Sequence, residues 1–141
     1  MLAIDEQVKK FITAHRVARM ATSDAAGAPH AVPICYAFDG SHIYSALDLK
    51  PKQVEGRRLK RVRNIEANPR VSLVIDDYSE DWSALAYVLV QGAAEVLEDG
   101  DERDRAEEML RQKYSQYDEL LEKGCTVLKI TPTSVTSWGR V

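Results

Sequence analysis

Ile4, Val8, Phe11 and Ile12 recur at the three-and-four spacing of one helix face, so residues 5–15 are expected to form a short amphipathic helix. From Arg16 to Ser23 the period changes to two. Val17, Arg19 and Ala21 would face one way and Ala18, Met20 and Thr22 the other, as on a strand. Asp24-Ala25-Ala26-Gly27 is a turn. Pro29–Phe38 reads as a second strand, and Pro33 inside it removes a ladder donor, which calls for an edge or a bulge. Asp39-Gly40 is a strong hairpin signal, and Ser41–Ala46 follows as the third strand. After a loop, residues 57–67 read as a helix stopped by Asn68-Pro69, with Leu59, Val62 and Ile65 as its buried stripe. Lys60, Arg61 and Arg63 would lie mainly off that core face. Val71–Tyr78 and Ala84–Val96 are strands, and Asp99-Gly100 ends the second. A charged helix over residues 101–113 follows, then a shorter one over 116–121. A last strand spans Thr126–Ile130, with a tail ending Ser137-Trp138-Gly139. Six short strands joined largely by hairpins suggest a mainly β (α+β) antiparallel barrel with flanking helices.

Composition changes this picture little. The 141 residues suit one domain, and 45% hydrophobic residues are enough for a packed core. A net charge of −3 suggests no nucleic-acid or membrane partner. The charge is uneven, however. Lys50–Arg63 holds seven basic residues and one acidic one, which points to a local anion site rather than a polyanion track. Cys35 and Cys125 are far apart in apolar stretches and read as free thiols, not as a disulfide framework or metal motif. The start lacks the apolar core of a signal peptide, and a cytoplasmic location is expected.

Three segments could carry chemistry. Lys60-Arg61-Val62-Arg63-Asn64 combines an arginine fork with a mobile lysine charge, the donors a phosphate needs; a solvated basic helix face is the plain alternative. His30-Ala31-Val32-Pro33-Ile34-Cys35-Tyr36 is a strand whose proline would turn backbone groups toward a ligand, or simply a bulged edge. His30 itself reads as a surface or satisfied histidine. Trp138 would cover a planar ring or seal an interface, and Trp82 would border a pocket. No phosphate-binding glycine motif, zinc spacing or nucleophile elbow is present. No catalytic acid, base or nucleophile stands out, so a cofactor would have to carry any redox chemistry.

Ile43-Tyr44-Ser45-Ala46, the basic loop, Lys60-Arg61 and Asn64-Ile65-Glu66-Ala67-Asn68-Pro69-Arg70-Val71-Ser72-Leu73 together resemble the pyridoxamine 5'-phosphate oxidase-like superfamily. Asp48-Leu49-Lys50-Pro51-Lys52, Asp76 to Trp82, Lys113 to Tyr117 and Ser137-Trp138 are most similar to its F420-dependent oxidoreductase branch. The resemblance implies a six-stranded split β-barrel homodimer with two cofactor sites at the subunit interface. It implies that Arg61 matches the phosphate-gripping lysine, Lys60 its basic neighbour, Tyr44 and Ser45 the aromatic-hydroxyl pair, and Val32, Pro33 and Ile34 the strand beside the isoalloxazine. Asn64 and Trp138 complete the expected cofactor set, with Lys50 and Lys52 placed to meet the longer anionic tail of F420. Leu59 stands where the oxidases carry serine, Val32–Tyr36 has no basic residue, and only Arg140 remains of a C-terminal arginine clamp. These departures argue against vitamin B6 oxidation and toward F420. The expected activity is hydride transfer between reduced F420 and a small conjugated substrate, with an FMN-dependent reductase or oxidase, or a non-catalytic flavin- or haem-binding module, as alternatives.

Overall fold

The computed structural model describes residues 2–47 and 59–141. Helix α1, Glu6–Ala14, is capped by the Asp5 carboxylate, which accepts from the Gln7 amide, and it buries Val8, Phe11 and Ile12. Strands β1 (Ala18–Ser23) and β2 (Pro29–Ile34) form a hairpin, and β3 (Ala37–Phe38) and β4 (Ile43–Ala46) form another. Asp39 Oδ1 accepts from the Ser41 and His42 amides, and Gly40 adopts φ 97°, the left-handed turn conformation that the Asp-Gly pair anticipated. Helix α2 is Lys60–Ala67, followed by β5 (Arg70–Asp77), a 3-10 turn at Trp82–Ala84, and β6 (Ala86–Leu97). Helices α3 (Asp101–Lys113) and α4 (Tyr117–Leu120) precede β7 (Val127–Gly139).

All neighbouring strands pair antiparallel, in the order β2-β1-β5-β6-β7-β4-β3. The two ends of this list, β2 and β3, are separated in the chain only by Cys35 and Tyr36. Three residues of chain reach at most about 10 Å, so the two sheet edges must come together and the sheet must curl into a split barrel. The fold is therefore the expected one, with seven strands rather than six. The expected strand over residues 29–38 is split at Cys35–Tyr36, where Tyr36 donates its amide to the Tyr114 hydroxyl (3.0 Å) instead of to a ladder. Pro33 does lie on an edge strand. The residues read as a C-terminal tail are the second half of β7, which continues past Ile130 because β6 is long enough to pair with it as far as Gly139. A register shift at Gln91/Gly92 admits Pro132.

Because side chains alternate across the pleat, the sheet separates two cores. Inside the curl lie Met20, Ile34, Leu73, Ile75, Val88, Val90 and Ile130 with α1 and α2. On the outer face, Tyr44, Ala46 and Val127 pack under Ala106, Leu110 and Tyr114. Among the described residues no helix is long and apolar enough to cross a membrane.

Candidate functional site

Helix α2 begins at the Leu59 N-cap, where no side chain caps it, and buries Val62, Asn64 and Ile65. Lys60 and Arg63 are exposed, as the stripe predicted. Arg61 departs from the expectation of a residue off the core face. It is half-buried, and its Nε is fully shielded without a hydrogen-bond partner among the described residues. Burial pulls its pKa below the ordinary arginine value, while nearby Tyr117 works in the opposite direction. A buried guanidinium nitrogen without an acceptor is energetically unfavourable unless an anion completes it.

The neighbouring polar groups on α2 are already satisfied. Asn64 is only 2% exposed, and its amide donates to the Thr22 hydroxyl at 3.0 Å, tying α2 to β1. Asn68 does the same one turn later, donating to Ser23 Oγ at 2.9 Å. On β2, Ile34 is buried, Val32 is packed against the core and Pro33 faces outward opposite Arg19. His30 pairs across the strands with Thr22, and its Nδ1 is also shielded without a partner among the described residues. It is thus neither the surface nor the satisfied histidine that a lone residue suggested.

The pleat puts Tyr44 and Ser45 on opposite faces. Ser45 Oγ donates to the Cys35 carbonyl at 2.8 Å, inside the β2–β3 corner. Tyr44 lies under α3, donating to Glu102 Oε2 at 2.7 Å; burial first and the Glu102 bond second push its pKa well above the usual tyrosine value. The two side chains that match the family's aromatic-hydroxyl pair therefore lie on opposite faces of β4. Trp138 lies on β7 on the outer face, stacked on Tyr87 with ring centroids 5.9 Å apart. It remains 53% exposed. Trp82 is exposed at the 3-10 turn. Lys50 and Lys52 lie outside the described residues. Among the described residues no group of three metal-ligating side chains comes together.

The known relatives agree with this architecture. A 5a,11a-dehydrotetracycline/5a,11a-dehydrooxytetracycline reductase of Streptomyces rimosus is 30% identical over 105 residues, covering 72% of this chain and 71% of that protein. A conserved hypothetical protein from Mycobacterium tuberculosis superposes with a TM-score of 0.77 at 21% identity, over 99% of this chain and 86% of that one. An FAD-binding protein from Mesorhizobium loti superposes with a TM-score of 0.73 at 25% identity, over 93% of this chain and 89% of that one. The pyridoxamine 5'-phosphate oxidase family model matches residues 4–139. With a seven-stranded split barrel and a match over almost its whole length, the chain belongs to the pyridoxamine 5'-phosphate oxidase family.

Proposed function

We propose that the protein is an F420-dependent oxidoreductase in which Arg61 binds the cofactor's phosphate. The observation that carries this reading is the shielded, unpartnered Nε of Arg61 on α2. A phosphate oxygen is the acceptor such a nitrogen lacks, and arginine's fixed fork favours oxyanions. His30 Nδ1, the other shielded orphan, sits on the strand that the family resemblance puts beside the cofactor ring. The isoalloxazine-like ring would lie along the β2 backbone at Val32, Pro33 and Ile34, with Trp138 as apolar cover. Bound F420 supplies the hydride; the chain supplies binding, orientation and apolar shielding. Lys50 and Lys52 would meet the longer anionic tail. A small conjugated substrate is supported by the tetracycline-type reductase among the relatives. The exposed aromatic sheet face also supports a homodimer, in which the Val74, Tyr87 and Trp138 surface would meet a second copy. No side chain is assigned as catalytic acid or base.

Anaerobic titration of the purified protein with F420 and with FMN tests the cofactor. F420 should bind, and Arg61→Ala should weaken it at least about ten-fold, the loss of one charge-assisted contact. Tight FMN retention with no F420 binding would overturn the reading in favour of the flavin alternative. Unchanged affinity in Arg61→Ala would remove that residue from the site. Light scattering on the eluting protein tests the dimer, because a clean monomer leaves each proposed interface site half built.

A further inference from the structure

The outer face of the sheet holds a second polar feature, at the end away from Trp138 and across the sheet from the α2 core. A groove of about 490 Å³ runs over β1, β2, β5, β6 and β7, lined among others by Ala21, Ser23, Pro29, Arg70, Ser72 and Gln91. That volume is in the range of small-molecule sites. The bulge on β7, where Thr133 is the extra residue opposite Gln91/Gly92, shapes its floor. There the neighbouring strand comes so close that a Cβ on Gly92 would sit 2.3 Å from the Thr131 carbonyl oxygen.

The rim is held in place from the far side. The Asn68 side chain accepts from the Arg70 amide (3.2 Å) through its oxygen and donates to Ser23 Oγ (2.9 Å) through its nitrogen. With that bond accepted, the Ser23 hydroxyl keeps its proton for another acceptor. The Arg70 guanidinium has no ion pair or hydrogen bond among the described residues, and none of the groove's lining residues is acidic. On the same face Arg19 is paired with Asp76 at 3.1 Å. The groove therefore offers a guanidinium fork, the hydroxyls of Ser23 and Ser72 and the Gln91 amide, beside the apolar surfaces of Ala21 and Pro29.

We propose that this groove is a binding site for a small carboxylate whose acid group meets Arg70 and whose flat apolar body lies against Ala21 and Pro29. The site is separate from Arg61 and does not depend on the cofactor assignment. Arginine pairs with a carboxylate through two parallel bonds, and a single fork matches a single negative charge.

Amide NMR of the whole chain, titrated with benzoate, benzamide and inorganic phosphate, tests this. Benzoate should shift the Ser72, Gln91 and Ala93 amides in a saturable way at concentrations up to about 20 mM, beyond a millimolar Kd. Benzamide, which has the same shape without the charge, should not. Arg70→Gln should weaken benzoate binding at least about ten-fold while leaving the spectrum folded, and Arg70→Lys should restore it only in part. No benzoate shift at these amides, equal shifts with benzamide, saturation by phosphate but not benzoate, or undiminished binding in Arg70→Gln would each overturn the proposal.

Discussion

One sheet presents two outer surfaces that treat charge in opposite ways. Where α3 covers the sheet, its Arg103 and Glu107 have side chains 7% and 12% exposed, and their groups are matched. Arg103 donates to Asp104, to Glu107 and to the Cys125 carbonyl. Glu107 also accepts from Arg111 and from the Gly124 amide. Arg111 in turn holds the Leu121 carbonyl at 2.8 Å. Beyond the helix, the same sheet leaves Val74, Tyr87 and Trp138 exposed and Arg70 without a partner among the described residues. The covered part is built for stability: each cation holds a loop carbonyl or carboxylate that would otherwise be stranded. The uncovered part leaves its groups to solvent. Polar density alone would have pointed to the wrong surface, since α3 carries far more charge than the open sheet.

The largest test of this contrast is Glu107→Ala. It should remove the charge-assisted bonds from Arg103 and Arg111, which keep their carbonyl partners, leave the Gly124 amide without its acceptor, and lower stability by about 3–5 kcal/mol, as for other broken buried pairs. Urea denaturation measures it, and a loss below about 1 kcal/mol would mean the network is effectively solvated. Beneath the open surface, Gly92→Ala at a buried position of β6 should cost about 2–3 kcal/mol through overpacking against Thr131, although no charge is touched. Thermal melts compared with a neutral Ser72→Ala control read this directly. Trp138→Ala removes half of an exposed stacked pair. It should cost no more than about 1 kcal/mol of monomer stability, and its main effect should be a weaker association constant in sedimentation. An unchanged constant would separate Trp138 from any dimer surface.

The smallest effect concerns Lys113, at the junction of α3 with α1. Its Nζ donates to the His15 carbonyl at 2.6 Å and lies 4.1 Å from the Tyr36 ring centre. Burial, and then the adjacent Arg16, pull its pKa down to about 8 from 10.5. Between those values the unfolded chain holds a proton that the native chain has released, so stability should rise as pH increases from 8 toward 10. Burial pushes Tyr114 up to about 12, and its linkage has the opposite sign only above the unfolded tyrosine range. Denaturation midpoints measured at pH 8, 9 and 10 should therefore climb in the wild type and lie flatter in Lys113→Met.

Much of this molecule was legible in the order of its residues. The α1 face, the Asp-Gly hairpin, the Asn-Pro stop after α2 and the edge position of Pro33 all come from local periodicity and backbone chemistry. Those forces act within a few residues and so leave a local record. The family motifs from Asn64 to Leu73 carried the barrel itself. The break at Cys35–Tyr36 was not legible, because it depends on a hydroxyl from Tyr114, 78 residues away. The continuation of β7 to Trp138 depends in the same way on the length of β6. The candidate site shows the same division. Sequence selected Arg61 as a phosphate ligand by type and motif, but only packing shows that its Nε is shielded while Asn64, in the same motif, is already satisfied by Thr22. Arg70 looked like one more basic residue in the Asn-Pro-Arg run, and only the curl of the sheet sets it in a groove without a counter-charge. Residue order determined which elements form and which donors the chain owns. Tertiary structure decided which of those donors are spent on the fold, because burial and partnership depend on contacts between segments that the chain brings together only when the barrel closes.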